Sequence, residues 1–217
     1  MLNGMLWIVR SGAQWRELPE VYGPWQSVYA RFAKWRDDGI LEAIFRVLSE
    51  DADKENLSID STCIKVHESA NGGKKTEHKA VGRTRGGLNT KLHVIVDGLG
   101  NPVEFLLSPG NDHDSVHAIE LLKQTEITGS NVLADRAYGT EAIRTYIEQC
   151  GASYTIPPRN NILEPWPVDW WLYKERHLVE CFFQKIKWFR RIATRYDKLD
   201  ASFLAFVYLA AIAILLI

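Results

Sequence analysis

Cysteine is scarce in this chain of 217 residues, and its pattern excludes two kinds of site. Cys63, Cys150 and Cys181 are odd in number, lie far apart and form no CxxC pair. A disulfide framework needs an even set of cysteines, and a zinc ribbon needs closely spaced pairs. We therefore expect a protein of a reducing cytoplasm that contains neither.

Long apolar runs are also few. The N-terminal segment has no charged region ahead of its apolar residues and no small-residue cleavage site behind them, so no signal peptide is predicted. The most apolar run covers residues 203–217. As a helix it would span only ~22 Å at ~1.5 Å per residue, less than the ~30 Å hydrocarbon core of a bilayer. The run therefore predicts a buried closing helix rather than a membrane anchor.

Neither sign of charge is in excess, since 26 lysines and arginines oppose 27 acidic residues. The basic residues nevertheless gather in two windows, at residues 65–91 and 174–198. The first window contains seven cations and two acidic residues, and the second contains eight cations and three acidic residues. Such windows suit a phosphate backbone, although a solvated surface explains them equally well. The remaining composition is ordinary for a globular protein and names no function.

Residues 1–50 predict a small helical unit. Apolar residues recur there at helical spacing, and do so again after Pro24. The second helix turns Arg31, Lys34 and Arg36 away from its aromatic stripe, so we expect a helix-turn-helix-like DNA-binding unit whose aromatic residues form its core. The chain opens directly inside an apolar helix without a capping residue, so we expect this unit to be truncated at its N-terminus.

Beyond residue 55 the pattern changes to short β-rich runs, which are followed by alternating helical and strand patterns. This order predicts an α/β domain over residues 55–217, with a mixed sheet flanked by helices. It is the layout of a ribonuclease-H-like domain. The predicted strands cover residues 57–66, 91–97, 103–108, 131–135 and 153–156, and the predicted helices 115–124 and 140–149.

The helix predicted after a proline-rich connection has two different faces. Asp169 can cap its start. At about 100° per residue, one face carries Tyr173, Arg176, Glu180 and Lys187. A carboxylate between an arginine and a lysine can supply one metal ligand and two phosphate contacts, yet periodicity alone favours an ordinary amphipathic helix. The opposite face is apolar and comprises Val179, Phe182, Phe183, Ile186 and Phe189.

The order of these polar residues is specific. The pattern Tyr-x2-Arg-x3-Glu-x6-Lys, here residues 173–187, matches without a gap the signature of bacterial insertion-sequence transposases of the family founded on insertion sequence five. The chain also resembles this family in the segments LSIDST, GRTRGGLNTKLH, LADRAYG and FRRIATRYD, and in its tryptophan-rich start. The resemblance covers nearly the whole chain. It implies a DNA transposase of the DDE type with a ribonuclease-H-like fold.

The resemblance also implies a set of site residues. Asp60 on the first strand, Asp135 beyond a later central strand and Glu180 on the late helix are implied to be catalytic and to hold two Mg²⁺ or Mn²⁺ ions. Two such ions ~3.5–4 Å apart can clamp the attacking and leaving oxygens of a displacement at phosphorus. We therefore expect the three carboxylates to converge within metal-bridging reach. The DNA contacts expected are Tyr173, Arg176, Lys187, Arg83, Arg85, Lys91, Arg190 and Arg191.

Two other acidic positions are expected to be structural. Asp114 follows a Pro-Gly turn and precedes a helical pattern, so we expect it to cap that helix rather than to bind a metal. Asp97 lies before Gly98 in a predicted hairpin turn and ranks below Asp60 and Asp135 as a ligand.

The expected partners are double-stranded DNA, comprising terminal inverted repeats and target DNA, and a second copy of the chain in a synaptic complex. One alternative keeps the fold and removes the reaction: a truncated, inactive relative that binds element ends and represses transposition. Another is a junction resolvase of the same fold, which the Tyr-Arg-Glu-Lys signature argues against.

Overall fold

A mixed β-sheet forms the centre of the protein in the computed structural model, which describes residues 1–70, 80–160 and 162–216. Strands β4, β3 and β1 pair antiparallel in that order, and β5 and β6 continue beyond β1 as parallel strands. The short β2 also pairs with β3, and β7 pairs with the end of β1. This is a ribonuclease-H-like order, so the predicted fold is confirmed. The strands are β1 (Asn56–Val66), β2 (Gly82–Thr84), β3 (Gly87–Val96), β4 (Pro102–Pro109), β5 (Asn131–Leu133), β6 (Ser153–Thr155) and β7 (Thr194–Arg195).

Helices cover both faces of the sheet and form two hydrophobic cores. Successive side chains of a strand point to opposite faces, so β1 contributes to both cores. Leu57 and Ile59 pack with α4 and α5, whereas Ile64 packs with α6, α8 and the N-terminal helices. Asp60 and Thr62 share the face of Ile64. The helices are α1 (Leu2–Ser11), α2 (Trp25–Asp37), α3 (Ile40–Leu48), α4 (Ala118–Leu122), α5 (Glu141–Gln149), α6 (His177–Lys187), α7 (Arg190–Ala193) and α8 (Asp200–Leu215).

The N-terminal helices share a core with the sheet and α8. Phe32 of α2 stacks on Phe206 of α8 with ring centroids 4.4 Å apart, and Phe45 of α3 lies 5.1 Å from Phe105 of β4. Most of α8 is buried, so the closing helix predicted from the apolar C-terminal run is confirmed. None of the helices described is long and apolar enough to cross a membrane. The division into units of residues 1–50 and 55–217 stays a prediction.

Two helices differ from their predictions. The one expected over residues 115–124 is a 3-10 turn at Asp114–Val116 followed by the short α4. The one expected after Asp169 begins as a 3-10 turn at Leu172–Arg176 and becomes α-helical only at His177. The Asp169 carboxylate accepts hydrogen bonds from the backbone N–H groups of Trp171 and Leu172, at 2.9 and 3.0 Å, so it caps the 3-10 turn rather than α6.

Candidate active site

Asp60 lies on β1, and Asp135 lies just beyond the end of the neighbouring parallel strand β5. β1 and β5 pair through Ser58 and Leu133, and each aspartate comes two residues later in its own chain segment. Local N–H groups orient both carboxylates: Ser61 donates to Oδ1 of Asp60 at 2.7 Å, and Ala137 donates to Oδ1 of Asp135 at 2.7 Å. The sheet therefore presents two oriented carboxylates side by side.

The ionised form of Asp60 is disfavoured by its surroundings. Burial raises the pKa of Asp60 to about 6, and the negative charges of Asp135 and Asp114 add to this effect. The Ser61 N–H and the Arg176 guanidinium oppose it. Carboxylate oxygens are the ligands that Mg²⁺ and Mn²⁺ prefer, and a cation between Asp60 and Asp135 would stabilise both negative charges. The residues present therefore fit a divalent metal.

Arg176 links Glu180 to Asp60. Its Nη1 donates to Oδ2 of Asp60 at 2.9 Å, and its Nη2 donates to Oε1 of Glu180 at 2.5 Å. Residues four apart on a helical segment are neighbours, which places Arg176 and Glu180 on one side. The other side of α6 packs into the core as the sequence predicted, through the buried residues Val179, Phe182, Phe183 and Ile186.

The three predicted carboxylates do not converge on one position where they could hold a metal ion together. Across residues 1–70, 80–160 and 162–216, no three carboxylate, imidazole or thiol groups are placed so that they could hold a metal ion together. The reason is Arg176, whose guanidinium stands between Asp60 and Glu180 and pairs with both. The convergence expected from the sequence is thus replaced by an adjacent pair, Asp60 and Asp135, joined to Glu180 through one cation.

The other two residues of the signature line the same surface. The Tyr173 ring centroid lies 5.9 Å from the central guanidinium carbon of Arg176. Lys187 donates from Nζ to Oγ1 of Thr62 at 2.6 Å, and its burial lowers the pKa of its ammonium group. Thr62 lies two residues beyond Asp60 on the same face of β1, so Arg176 and Lys187 contact β1 next to each other.

Three of the other predicted DNA contacts are exposed. Arg83 lies on β2, Arg85 follows in the turn between β2 and β3, and Arg190 begins α7. Their guanidinium groups are therefore accessible to a phosphate backbone. The part of the first basic window at residues 71–79 lies outside the described residues.

Lys91 and Arg191 differ from that group because each already has a carboxylate partner. Lys91 donates from Nζ to Oδ1 of Asp114 at 2.7 Å, and only 12% of its side chain is exposed. Arg191, which is 7% exposed, pairs with Asp197 at 2.8 Å. Both cations are directed into the protein rather than presented on its surface.

The expectation that Asp114 caps a helix is wrong. Asp114 is itself the first residue of a 3-10 turn, and no side chain caps that turn. Its Oδ1 instead accepts from Oγ of Ser61 at 2.5 Å and from Nζ of Lys91 at 2.7 Å. A lysine ammonium offers a carboxylate a stronger bond than a turn N–H does. Ser61 and Asp114 are 53 residues apart, so local spacing could not reveal the contact.

Tyr138 is a member of this region that sequence reasoning did not single out. It is 1% exposed, and in the described part of the chain its hydroxyl has no hydrogen-bond partner. Burial raises the pKa of that hydroxyl, and the negative charges of Asp60, Asp114 and Asp135 raise it further. The Ser61 hydroxyl lies near the Tyr138 hydroxyl and opposes this rise in pKa, but the two groups do not have the geometry of a hydrogen bond.

Family models match most of the chain. The model described as "Transposase DDE domain" matches residues 51–164, and the model described as "Putative transposase of IS4/5 family" matches residues 1–45.

Two curated proteins are similar in sequence. The "Putative transposase for insertion sequence element IS6501" of Brucella ovis is 39% identical over 126 residues, which cover 57% of this chain and 95% of that protein. The "Uncharacterized protein y4sN" of Sinorhizobium fredii is 40% identical over 76 residues, which cover 35% of this chain and 61% of that protein.

Solved structures with a similar layout are more distant. A pre-cleavage Mos1 transpososome aligns with 99% of this chain and 78% of its own, at 12% identity and a TM-score of 0.35. A piggyBac transposase synaptic complex aligns with 53% of this chain and 25% of its own, at 14% identity and a TM-score of 0.36.

Proposed function

Because the chain belongs to the family of the transposase DDE domain, whose function is DNA transposition, we propose that it cleaves DNA strands at the ends of a mobile element and transfers them into target DNA. The single observation that carries the catalytic part is the arrangement of Asp60 on β1 beside Asp135 at the end of the parallel strand β5, with Glu180 joined to Asp60 through Arg176.

Asp60, Asp135 and Glu180 would hold two divalent ions, Mg²⁺ or Mn²⁺. When bound, these ions supply charge stabilisation to the attacking and leaving oxygens of a displacement at phosphorus. Backbone N–H groups of Ser61 and Ala137 fix Asp60 and Asp135, whereas Glu180 is 53% exposed and free to adjust. Asp60 and Asp135 thus give a rigid half of the site, and the helix gives an adaptable half.

Arg176 would change partners when DNA enters. Its guanidinium pairs with Asp60 and Glu180 in this structure, and the two non-bridging oxygens of a scissile phosphate can accept the same two-pronged hydrogen bonds as a carboxylate. Tyr173, which contacts Arg176, and Lys187, which lies further along β1, would hold the strand on either side. Water attacks first, and the freed 3′-hydroxyl then attacks target DNA, so no covalent protein intermediate is needed.

The DNA-binding surface would extend beyond the site through exposed cations. Arg83, Arg85 and Arg190 are accessible, and Arg31 and Lys34 are exposed on α2. We assign residues 1–50 to recognition of element ends and residues 55–217 to catalysis. Two element ends must be cut and joined together, so two copies of the chain would act in one complex, on chromosomal DNA in the bacterial cytoplasm.

Cleavage of labelled DNA that carries the ends of the encoding element tests this function. In the presence of Mg²⁺ we expect wild-type protein and Glu126→Gln to cut at the ends, and Asp60→Asn to bind without cutting. Glu126 is a suitable control because its exposed carboxylate accepts from the N–H of Thr128, ahead of β5 and at the opposite end of that strand from Asp135. Binding without cleavage by the wild type would support the inactive repressor instead, and cleavage by Asp60→Asn would refute the site.

A further inference from the structure

A chain of hydrogen bonds supports Asp60 from the opposite face of β1. Lys91 donates from Nζ to Oδ1 of Asp114, and Oγ of Ser61 donates to the same oxygen. The backbone N–H of Ser61 donates in turn to Oδ1 of Asp60. Asp60 and Ser61 are consecutive on β1 and point to opposite faces, so Asp114 holds the strand from behind the proposed site.

Asp114 also lies next to the turn that orients Asp135. The 3-10 turn at Asp114–Val116 contacts the 3-10 turn at Arg136–Tyr138. Asp135 caps that second turn by accepting from the N–H of Ala137. Asp114 is therefore placed between the two elements that orient Asp60 and Asp135.

The contacts of Asp114 are stronger than those of a surface ion pair. Lys91 is 12% exposed and Asp114 is 30% exposed at the side chain, so solvent screens the pair only partly. Although burial opposes it, the hydrogen bonds from Lys91 and Ser61 hold the pKa of Asp114 below its usual value. Asp114 is thus a fixed negative acceptor. His93 also interacts electrostatically with Asp114. Burial lowers the pKa of His93 to about 4.

We propose that Asp114 is a positioning residue of this site: clamped by Lys91, it fixes the relative placement of Asp60 and Asp135 through Ser61 and the turn at Arg136–Tyr138. The inference rests on the proposed function, since it concerns the two carboxylates that would hold metal. It gives the Asp112-His113-Asp114 segment a role, and it makes Lys91 part of the support of the site rather than a phosphate contact.

The binding of Mn²⁺ to the full chain, followed by the electron paramagnetic resonance signal of free Mn²⁺, tests this role. Asp114→Ala and Ser61→Ala should each weaken Mn²⁺ binding about 10- to 100-fold, the usual effect of removing a group that orients a metal ligand. Asp114→Asn should recover most of the affinity, because its amide oxygen can still accept from Ser61. Glu126→Gln, an exposed carboxylate that accepts from the N–H of Thr128, should bind as the wild type does.

A purely structural role predicts a different pattern. In that case Asp114→Ala and Ser61→Ala would have lower thermal midpoints of unfolding than the wild type. Their Mn²⁺ affinity would be unchanged at temperatures where circular dichroism shows both variants folded. That result would overturn the proposal. Ser61→Ala removes only one half-buried hydroxyl, so it carries the test if Asp114→Ala does not fold. If the wild type itself binds no Mn²⁺, or Asp60→Asn binds as well as the wild type, the metal site of the proposed function fails and this inference fails with it.

Discussion

Arg176 and Asp60 form a direct ion pair, with Nη1 of the arginine 2.9 Å from Oδ2 of the aspartate. The same arginine contacts Glu180, so a helix residue and a strand residue are held by one guanidinium. Arg46 makes an analogous bridge on another part of the molecule, to Glu42 on its own helix and to Glu104 on β4. The two arginines therefore provide a matched comparison between a bridge at the proposed site and one remote from it.

Replacing Arg176 by glutamine should abolish strand cleavage and raise the pKa of Asp60. The guanidinium lowers that pKa in the wild type, so its loss leaves burial and the charge of Asp135 unopposed by a cation. A carbon-13 NMR titration of the aspartate carboxyl groups would measure the shift. Arg46→Gln should leave both cleavage and the Asp60 titration unchanged. An unchanged Asp60 titration in Arg176→Gln would contradict the ion pair.

Replacing Asp60 by asparagine should stabilise the fold near neutral pH. The pKa of Asp60 rises from 3.8 to about 6 on folding, so the stability of the wild type falls as the pH increases between these values. A shift of this size corresponds to as much as about 3 kcal/mol in the free energy of unfolding. Urea unfolding should therefore show Asp60→Asn more stable than the wild type at pH 7.5, with the advantage disappearing near pH 4.

Asp97 is the control for that experiment. Asp97 is 1% exposed, and its carboxylate accepts from the N–H groups of Leu99 and Asn101, as expected of a turn residue. Asp97→Asn should destabilise the protein, because it replaces a charged acceptor by a neutral one. Equal destabilisation by Asp60→Asn and Asp97→Asn at pH 7.5 would show that Asp60 is merely structural.

Replacing Tyr138 by phenylalanine should stabilise the protein by about 1 kcal/mol. The buried hydroxyl makes no hydrogen bond within the described residues, and leaving such a group unsatisfied costs roughly 1–3 kcal/mol. Chemical denaturation would measure the difference. A loss of stability in Tyr138→Phe would mean that the hydroxyl has a partner in the folded protein.

Arg83 and Lys91 should differ in their effect on DNA binding, although both belong to the first basic window. Arg83 is exposed, whereas Lys91 is bound to Asp114. Arg83→Gln should weaken binding to duplex DNA and reduce the slope of log affinity against log salt by about 0.9, the value for one lost phosphate contact. Lys91→Met should leave that slope unchanged. An equal reduction by both variants would restore Lys91 as a phosphate contact.

Patterns local in sequence predicted most of the fold. Strand alternation and helix periodicity placed β1, β4 and α5 within about a residue of their ends. The apolar face of α6 was predicted correctly for the same reason, since its spacing is visible within eleven residues. Resemblance supplied what the patterns could not, namely the expectation that Glu180 of this helix lies near Asp60 and Asp135. The ion pair between Arg176 and Asp60 was not predicted.

Contacts between distant segments were less predictable. Asp114 has the local signature of a helix cap, yet it binds Lys91 and Ser61, which the sheet brings to it from elsewhere in the chain. Lys91 and Arg191 likewise have the sequence context of DNA-binding cations, and only the folded structure shows their carboxylate partners. Which cations are free depends on tertiary placement, and charge counts in a window do not contain that information.

Anomalous X-ray scattering from crystals soaked in Mn²⁺ would locate the metal ions themselves. We expect two Mn²⁺ peaks among Asp60, Asp135 and Glu180, with the Glu180 carboxylate turned from Arg176 towards the metal. Peaks elsewhere on the molecule, or Arg176 still bridging Asp60 and Glu180 at saturating Mn²⁺ with no peak beside it, would contradict the assignment of these three carboxylates as the metal site.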